Sequence, residues 1–441
     1  MPPLTAVQAA RAAFAAGELN IAEAGAKAVL ARVGEHMEAL ALLARIAHRT
    51  GRSRQVAALL TRARTARHRD AEGFLMFGLA LRDLGAFSDA RVALDQALRL
   101  GPRAPEALVT LGQALRDLGQ WQSAEAALTA ALALNPENNL ARFNLGAVRL
   151  TLGHLREGWP DLIAGGAAIQ TPVRLPGPEW RGETLDGGTV LLHADGGLGD
   201  AIMYARYVPL VAERARVVIA GPPTLQRLFA TLPGLAGFCG DLPLPPYDRH
   251  RALGDLPLLF DTALGSIPAA VPYLTADPAA AARWRVRMAG LPGLRVGLVW
   301  SGNPSYPGDR ERSVPPAALA PILAIPGVSF VSLQFGPVEA PAGVRQWMTE
   351  VRDLADTAAL IAALDLTITV DTAVVHLAGA LGCPVWLLNR LNTDWRWLLG
   401  RDDSPWYSGL RQFRQTEPGD WSGPVALAAA ALAERAPGAG A

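Results

Sequence analysis

A group of polar residues at a predicted strand-to-helix turn has the types and spacing of an anion site. Asp371 ends a β-branched run, Thr372 is a candidate helix N-cap, and His376 follows one helical turn later on the same side. The helix formers after Thr372 end at Gly382, where a second apolar run begins, so this stretch predicts a strand, a helix and a parallel strand. Free N–H groups at the start of such a helix favour an anion. We therefore predict a phosphate or nucleotide site at Asp371, Thr372, Ala373 and His376; the alternatives are simple capping and, for His376, a satisfied core position.

A glycine-rich turn in the middle of the chain predicts a second point of ligand contact. An apolar run at 189–194 predicts a buried strand, and residues 195–200 read Asp-Gly-Gly-Leu-Gly-Asp before a helical stretch. Glycine lets a backbone approach a ligand closely, so Gly197 and Gly199 are candidate contacts, although the spacing is not the dinucleotide fingerprint. Without further information, Asp200 is a carboxylate that stabilises the start of the helix through its dipole.

The last third of the chain predicts a second α/β half with polar residues after three of its strands. The first run, at 294–300, ends at Trp300 and is followed by Asn303 and Arg312. The second run, at 328–334, ends at Gln334, and the third, at 367–370, is followed by the Asp371 turn. Ligands of an open parallel sheet bind outside these strand ends. Arg312 has the chemistry to clamp a phosphate, and a solvated charged loop is the alternative. Further strands are predicted at 217–220, 258–260 and 385–388, the second of them short because Pro257 is tolerated only at a strand start.

The amino-terminal third repeats with a period of 34 residues, which is marked by Gly17, Gly51, Gly85, Gly119 and Gly153. This period, with small residues at Gly78, Ala90, Gly112 and Ala124 and prolines at Pro102 and Pro136, is typical of tetratricopeptide repeats. About five repeats are predicted, and the first helices of the units should form a concave face that includes Arg82 and Arg116. We interpret that face as a groove for a protein or peptide partner; the alternative is a scaffold that docks onto the rest of the chain or onto a second copy.

Several segments together resemble the heptosyltransferase-like family 9 glycosyltransferases, namely residues 196–202, 297–304, 310–313 and 370–382. Residues 394–397 and 404–407 resemble the branch of that family that is fused to tetratricopeptide repeats. The resemblance implies a GT-B fold with two Rossmann-like halves, in which the second half holds the nucleotide sugar. It also implies that Asp200 is the base that deprotonates an acceptor hydroxyl, and that no metal is needed. The order of repeats and transferase is also similar to that of protein O-linked N-acetylglucosamine transferases.

Composition excludes several other classes of protein. Among 441 residues, 41 Lys and Arg balance 40 Asp and Glu, so no general affinity for nucleic acid or an acidic membrane is expected. Cys239 and Cys383 lack partner spacing, which disfavours a disulfide scaffold or a zinc site. No uncharged run reaches the roughly 20 apolar residues of a transmembrane helix. These features predict a cytoplasmic protein.

The sequence thus predicts an α solenoid plus α/β architecture. The expected domains are a repeat solenoid at 1–168, a linker at 169–187, a first Rossmann-like half on the acceptor side at 188–288, and a second half on the nucleotide-sugar side at 289–441, which includes a C-terminal helix. The expected function is metal-independent glycosyl transfer from a nucleoside-diphosphate sugar, without another cofactor, to a hydroxyl of a protein recruited by the repeats. One alternative is a catalytically inactive scaffold for protein interaction, and another is a transferase of lipopolysaccharide or cell-surface glycan.

Overall fold

A computed structural model describes residues 3–101, 104–169, 173, 175–194, 196–240, 243–305, 308–336 and 338–436. Pro102 of the repeat pattern, Asp195 of the glycine-rich turn and part of the expected linker lie outside these ranges. Internal contacts divide the chain into two compact units. The first comprises Met1–Val148 with Ala164–Ile169, and the second comprises Arg149–Ile163 with Gln170–Ala441.

Residues 3–101 and 104–169 form ten helices in five consecutive pairs along the chain, and the two helices of each of the first four pairs pack against each other. They are α1 (Pro3–Ala15), α2 (Leu19–Val33), α3 (Met37–Arg49), α4 (Ser53–Thr65), α5 (Ala71–Asp83), α6 (Phe87–Leu100), α7 (Pro105–Asp117), α8 (Trp121–Leu134), α9 (Asn139–Thr151) and α10 (Leu155–Ile169). The recurring glycines lie between the helices of each pair with positive φ, from 71° at Gly51 and Gly119 to 89° at Gly153, a conformation that favours glycine.

The small residues of the repeat occupy the places where two helices approach closely. A β-carbon on Gly78 would lie 2.7 Å from Cγ of Leu94, and one on Gly112 would lie 2.6 Å from Cγ of Leu128. The leucine of the second helix therefore fits against the bare backbone of the first, in α5 with α6 and again in α7 with α8. This repetition of one packing contact explains why the sequence repeats.

The second unit contains two parallel sheets with helices between their strands. The first is built from β1 (Thr189–His193), β2 (Arg216–Ala220), β3 (Leu235–Cys239) and β4 (Arg249–Ala252), in the order β3-β2-β1-β4. The second is built from β5 (Leu294–Val299), β6 (Val328–Ser332), β7 (Leu366–Thr369), β8 (Val385–Asn389) and β9 (Leu410–Arg414), in the order β6-β5-β7-β8-β9. Every pairing in both sheets is parallel. The predicted class, an α solenoid plus α/β, is confirmed.

Helices follow the strands of both sheets, and the turns between a strand and the next helix carry the candidate site residues. These helices are α11 (Leu198–Tyr204), α12 (Val208–Ala212), α13 (Gln226–Phe229), α14 (Leu256–Leu259), α15 (Pro278–Met288), α16 (Asp309–Arg312), α17 (Ala320–Leu323), α18 (Leu354–Ile361), α19 (Ala373–Ala380) and α20 (Ser422–Arg435). The strand predicted at 258–260 is wrong, because these residues belong to or directly follow α14. Pro257 stands in the first turn of that helix, where its missing N–H costs nothing.

Residues 149–163 pack with the second unit, although the repeat period assigns them to the array. Trp159 is buried, its indole Nε1 donates to the carbonyl of Thr262 at 3.0 Å, and its ring meets Trp395 edge-on at 5.0 Å between centroids. The apolar core of this unit is continuous from Leu150, Leu155 and Trp159 through both sheets. Within the described ranges, none of the helices combines the length and the apolar character that a membrane crossing requires.

Candidate functional site

The loops that follow the strands of the second sheet are bonded to one another. Arg312 Nη1, after β5, donates to the backbone carbonyl of Asp371, after β7, at 2.9 Å. Glu311 accepts hydrogen bonds from Arg390 Nη1 at 3.3 Å and Asn392 Nδ2 at 2.7 Å, both after β8. The carboxyl ends of three neighbouring strands thus form one connected surface, which is where an open parallel sheet binds its ligand.

Gln334 joins the end of β6 to this surface, but its side chain is fully engaged by backbone. Its Oε1 accepts from the N–H groups of Trp300 at 3.2 Å and Ser301 at 3.0 Å. Its Nε2 donates to the carbonyls of Ser301 at 2.9 Å and Phe335 at 3.1 Å. These four bonds use both lone pairs and both N–H groups of the amide. Gln334 thus fixes the loop after β5 in place, and its contact with a ligand stays a prediction.

The same loop places the predicted residues Trp300, Asn303 and Arg312 in three different surroundings. Trp300 is buried in the core, and Asn303 lies on an exposed stretch where its Oδ1 accepts from the N–H of Ser305 at 3.0 Å. Arg312 Nε donates to Oδ1 of the buried Asp309 at 3.0 Å, so the carboxylate holds the arginine against the Asp371 turn. Of the three, Arg312 is the residue whose side chain is hydrogen-bonded to the turn that starts α19.

Thr372 is the N-cap of α19, as its type predicts. It has extended backbone, and its Oγ1 accepts from the N–H of Val374 at 3.3 Å. Asp371, which precedes it, is half-buried, and burial together with the carboxylate of Asp394 raises its pKa. The turn therefore presents the first amides of an eight-residue helix beside a carboxyl group with a weakened tendency to ionise.

The start of α11 in the first half meets the start of α19 in the second half. A β-carbon on Gly199 would lie 2.8 Å from Cδ2 of His376 and 3.5 Å from Cα of Ala373. Asp200, the next residue, caps its own helix: its Oδ2 accepts from the N–H of Gly197 at 3.1 Å. The residues of two distant sequence motifs therefore lie together, where the start of α11 meets the start of α19.

Arg396 stands between carboxylates of both halves. Its Nη2 donates to Oδ1 of Asp200, and its Nη1 donates to Oδ1 of Asp394 at 2.6 Å. Burial alone would lower the pKa of this guanidinium, but Asp394 and Asp200 raise it well above the ordinary value. Burial likewise opposes ionisation of Asp394, and Arg396 reverses this and lowers the pKa of Asp394. The sequence does not predict Arg396 as a site residue, although it lies within the motif at 394–397.

His376 is a neutral imidazole held from two sides. Its Nδ1 is 2.9 Å from the hydroxyl of Tyr407, and its ring stacks on Trp397 at 5.3 Å and 23°. Burial, followed by the charge of Arg396, lowers the pKa of His376 well below the ordinary value. His376 is thus a core residue whose Nδ1 has a hydrogen-bond partner, and the edge of its ring also contacts Gly199. The tryptophans at 395, 397, 406 and 421 are all buried, so they pack within the protein.

Comparison with known proteins identifies the repeats over part of the amino-terminal helices. Residues 75–119 and 109–157 match the family described as "Tetratricopeptide repeat". Residues 75–157 are tetratricopeptide repeats. A solved structure of TTC0263, a thermophilic tetratricopeptide-repeat protein of Thermus thermophilus, is 23% identical over 39% of this chain and 92% of its own, with a TM-score of 0.32.

Two further similarities extend beyond the tetratricopeptide repeats. Protein FlbA of Caulobacter vibrioides is 31% identical over 328 residues, which are 65% of this chain and 53% of FlbA. The chain thus spans about half the length of that curated relative. The solved structure of a family 9 glycosyl transferase from Veillonella parvula DSM 2008 is 11% identical, covers 58% of this chain and 98% of its own, and has a TM-score of 0.42.

In the tetratricopeptide array, the two arginines expected in the groove connect neighbouring units. Arg82 Nε donates to Oδ2 of the buried Asp117 at 3.1 Å. Arg116 donates from Nη2 to Oδ1 of the same Asp117 at 3.1 Å, and from Nη1 to Oδ1 of Asn144 at 3.2 Å. These bonds join α5 to α7 and α7 to α9. Both guanidinium groups therefore hold the array together, whatever else they contact.

Proposed function

We propose that the second unit is a metal-independent glycosyltransferase that uses a nucleoside-diphosphate sugar. The observation that carries the proposal is the position of Asp200. Its carboxylate, 38% exposed, lies where the starts of α11 and α19 meet, at the carboxyl ends of both parallel sheets. The Asp200 carboxylate of one half thus lies beside the anion-favouring helix start of the other half. Glycosyl transfer needs this arrangement, because the base that deprotonates the acceptor hydroxyl must lie close to the bound sugar donor.

The diphosphate is proposed to lie at the start of α19. There the start of α19 offers the positive end of its helix dipole, and Arg312 is fixed at the Asp371 carbonyl. Arg396 and Arg390 are near enough for their charges to affect the pKa of Asp371. The buried Nε–H groups of Arg390 and Arg396 have no acceptor within the described part of the chain. Amides and guanidinium groups are the donors that stabilise a departing diphosphate where a metal ion does not.

The transfer step is then a displacement at the anomeric carbon. The acceptor oxygen forms a bond to that carbon while the bond from the carbon to the phosphate oxygen breaks, and the nucleoside diphosphate leaves with the bonding electrons. The proton of the acceptor hydroxyl passes to the carboxylate of Asp200. We further propose that the acceptor is a protein bound by the tetratricopeptide array.

A second candidate function, an inactive ligand-binding scaffold, is favoured by one observation. Asp200 already accepts hydrogen bonds from Arg396 and Gly197, so each of its two carboxylate oxygens is engaged before an acceptor hydroxyl arrives. The two candidates differ in turnover and not in binding.

The deciding experiment measures both properties on the full chain. Thermal shift with a panel of nucleoside diphosphates identifies the base that binds, and release of nucleoside diphosphate from the matching sugar donors then measures turnover. We expect stabilisation by one nucleotide and donor turnover that Asp200→Asn lowers by about 10²–10⁴-fold. Stabilisation without turnover of any donor favours the scaffold. No stabilisation by any nucleotide contradicts the nucleotide site itself.

A further inference from the structure

The side chain of Arg396 is fixed on the second half of the unit. Oδ1 of Asp394 accepts two hydrogen bonds from Arg396, one from its backbone N–H at 3.1 Å and one from its side-chain Nη1 at 2.6 Å. The guanidinium also lies 4.3 Å from the centroid of the Trp395 ring. Its side chain is only 12% exposed. These contacts leave the guanidinium little freedom to turn, because each one restrains a different part of the group.

The contact between Arg396 Nη2 and Asp200 is different, because its carboxylate partner comes from the other half. Asp200 is 38% exposed on α11, and its second oxygen remains hydrogen-bonded to the N–H of Gly197. A carboxylate with an exposed side and a second hydrogen-bond donor can leave the arginine without being buried unpaired. Of the two carboxylates on Arg396, Asp200 is therefore the exchangeable one and Asp394 the permanent one.

An anion at the start of α19 would compete for the same Nη2. Gly199 is in contact with Ala373, the first residue of α19, so Asp200 lies beside that helix start. The charge of Arg396 also lowers the pKa of His376 on the same helix. A phosphate oxygen at this point would be a suitable acceptor for the donor group that Asp200 now occupies.

We propose that Asp200 takes the position of a donor phosphate oxygen on Arg396, and that binding of the sugar donor displaces the carboxylate and frees it to accept a proton. Arg396 is then a positioning residue that couples donor binding to the availability of the base. This inference rests on the proposed function, because it assigns a role to Arg396 within the same site. It also explains how a carboxylate that is ion-paired before the donor binds can act in the complex.

The test is a double-mutant cycle for binding of the nucleoside diphosphate selected by thermal shift, measured by calorimetry on the full chain. Asp200→Asn removes the competing charge, so it should tighten binding by about tenfold, the value of one charge-assisted hydrogen bond. In an Arg396→Gln background, the same Asp200→Asn change should alter affinity by less than about twofold, because the shared donor is gone. Glu183→Gln, which removes an exposed carboxylate paired with Arg249, is the matched control and should leave affinity unchanged.

The alternatives give different results. Equal tightening in the Arg396→Gln background would mean that Asp200 only repels the anion through space, which refutes the sharing of Arg396. Unchanged or weaker binding in Asp200→Asn refutes it as well. If Arg396→Gln does not fold, Arg396→Lys, which keeps a cation, replaces it as the background. Asp200→Asn should then tighten nucleoside-diphosphate binding less in the Arg396→Lys background than in the native protein. Failure of every variant to bind any nucleoside diphosphate refutes the proposed function together with this inference, whereas equal binding by all variants refutes the inference alone.

Discussion

Gly199 and His376 are in van der Waals contact across the two halves of the second unit, with 2.8 Å between a β-carbon built on Gly199 and Cδ2 of the imidazole. This distance is shorter than real β-carbons show, so only glycine permits the approach. The imidazole has little room to retreat, because Tyr407 holds its Nδ1 and Trp397 covers its face. The glycine of the glycine-rich turn therefore serves helix-to-helix contact at the site.

Gly199→Ala should separate the starts of α11 and α19. We expect a loss of about 1–3 kcal/mol in the free energy of unfolding, as for other overpacked sites, and weaker binding of the nucleoside diphosphate. Gly290→Ala is the control, because a β-carbon there meets nothing within 4 Å. Denaturant unfolding and calorimetry of both variants test this. If Gly199→Ala keeps the stability and the nucleoside-diphosphate affinity of the native protein, the contact between Gly199 and His376 has room for a β-carbon.

Asp200→Asn should separate binding from chemistry. The amide keeps the size and a hydrogen-bonding oxygen but cannot take up the acceptor proton. Transfer should fall by about 10²–10⁴-fold, the usual contribution of a positioned general base. The helix start should lose only about 0.3–1 kcal/mol of dipole interaction, so the melting temperature should change little. Retained transfer with an unchanged melting temperature would leave Asp200 with a capping role only.

Thr372→Val tests the start of α19 with a side chain of nearly the same shape. It removes the hydroxyl that accepts from the N–H of Val374, which should cost about 1 kcal/mol of stability. Nucleoside-diphosphate affinity should weaken by about 1–2 kcal/mol if the hydroxyl or the ordered amides contact the ligand. Thr372→Ser keeps the hydroxyl and should retain both properties. Equal affinity in the valine and serine variants would place the diphosphate elsewhere.

The strong local patterns of the sequence correctly predicted much of this structure. The 34-residue period and the small residues at Gly78 and Gly112 define the array, because one packing contact recurs in α5 with α6 and in α7 with α8. Apolar runs predict six of the nine strands, namely β1, β2, β5, β6, β7 and β8, and the type and position of Thr372 predict its N-cap. These features depend on neighbours in the chain, so they are visible without the fold.

The errors and omissions concern features that depend on distant parts of the chain. The apolar run at 256–259 is too short for its period to distinguish a helix from a strand. β4 begins Arg-His-Arg, and β9 carries charged residues at the edge of its sheet, so neither has an apolar run. Arg396 lies 196 residues from Asp200 in the sequence, and no local sequence pattern predicts an ion pair between residues so far apart. Gln334 has the polarity of a ligand contact, and only the three-dimensional structure shows that backbone groups use it completely.

Glu38 in the array gives a pH dependence of stability. It is 4% exposed, Oε1 lies 3.8 Å from Nη1 of Arg11, and burial raises its pKa to about 7. The unfolded chain releases this proton near pH 4.5, whereas the folded chain keeps it until about pH 7. Between these values the folded state binds more protons, so this group lowers stability as the pH rises. The full effect is about 3 kcal/mol at pH 8 relative to pH 4.

Glu38→Gln should remove that dependence. The variant should melt higher than the native protein at pH 8 and close to it at pH 5, as measured by scanning calorimetry of the full chain. Glu106→Gln, at the equivalent position two units later, is exposed and serves as the control, with little expected change at either pH. A difference between Glu38→Gln and the native protein that is the same at both pH values would contradict a raised pKa.

The position of Trp159 predicts where the second unit can be separated from the array. A chain that begins at Arg149 keeps Trp159 and its bond to Thr262, whereas a chain that begins at Gly177 loses both. Removal of a buried tryptophan costs about 3–5 kcal/mol, so the shorter chain should melt well below the longer one. Equal melting temperatures would mean that residues 149–163 contribute little to the second unit.

α19 is enclosed along its length, which has a consequence for the orientation of its peptide groups. Val374 to Ala380 are buried, a β-carbon on Gly379 would lie 2.4 Å from the Tyr407 ring, and the carbonyl of Ala380 accepts from Tyr273 and Leu274. Water around an ion must reorient when charge moves, but peptide dipoles locked in a packed helix already point in their final direction. In the proposed transfer, negative charge would grow on the leaving diphosphate in front of dipoles that need no rearrangement. The rigidity of this one helix would then lower the barrier in every reaction cycle.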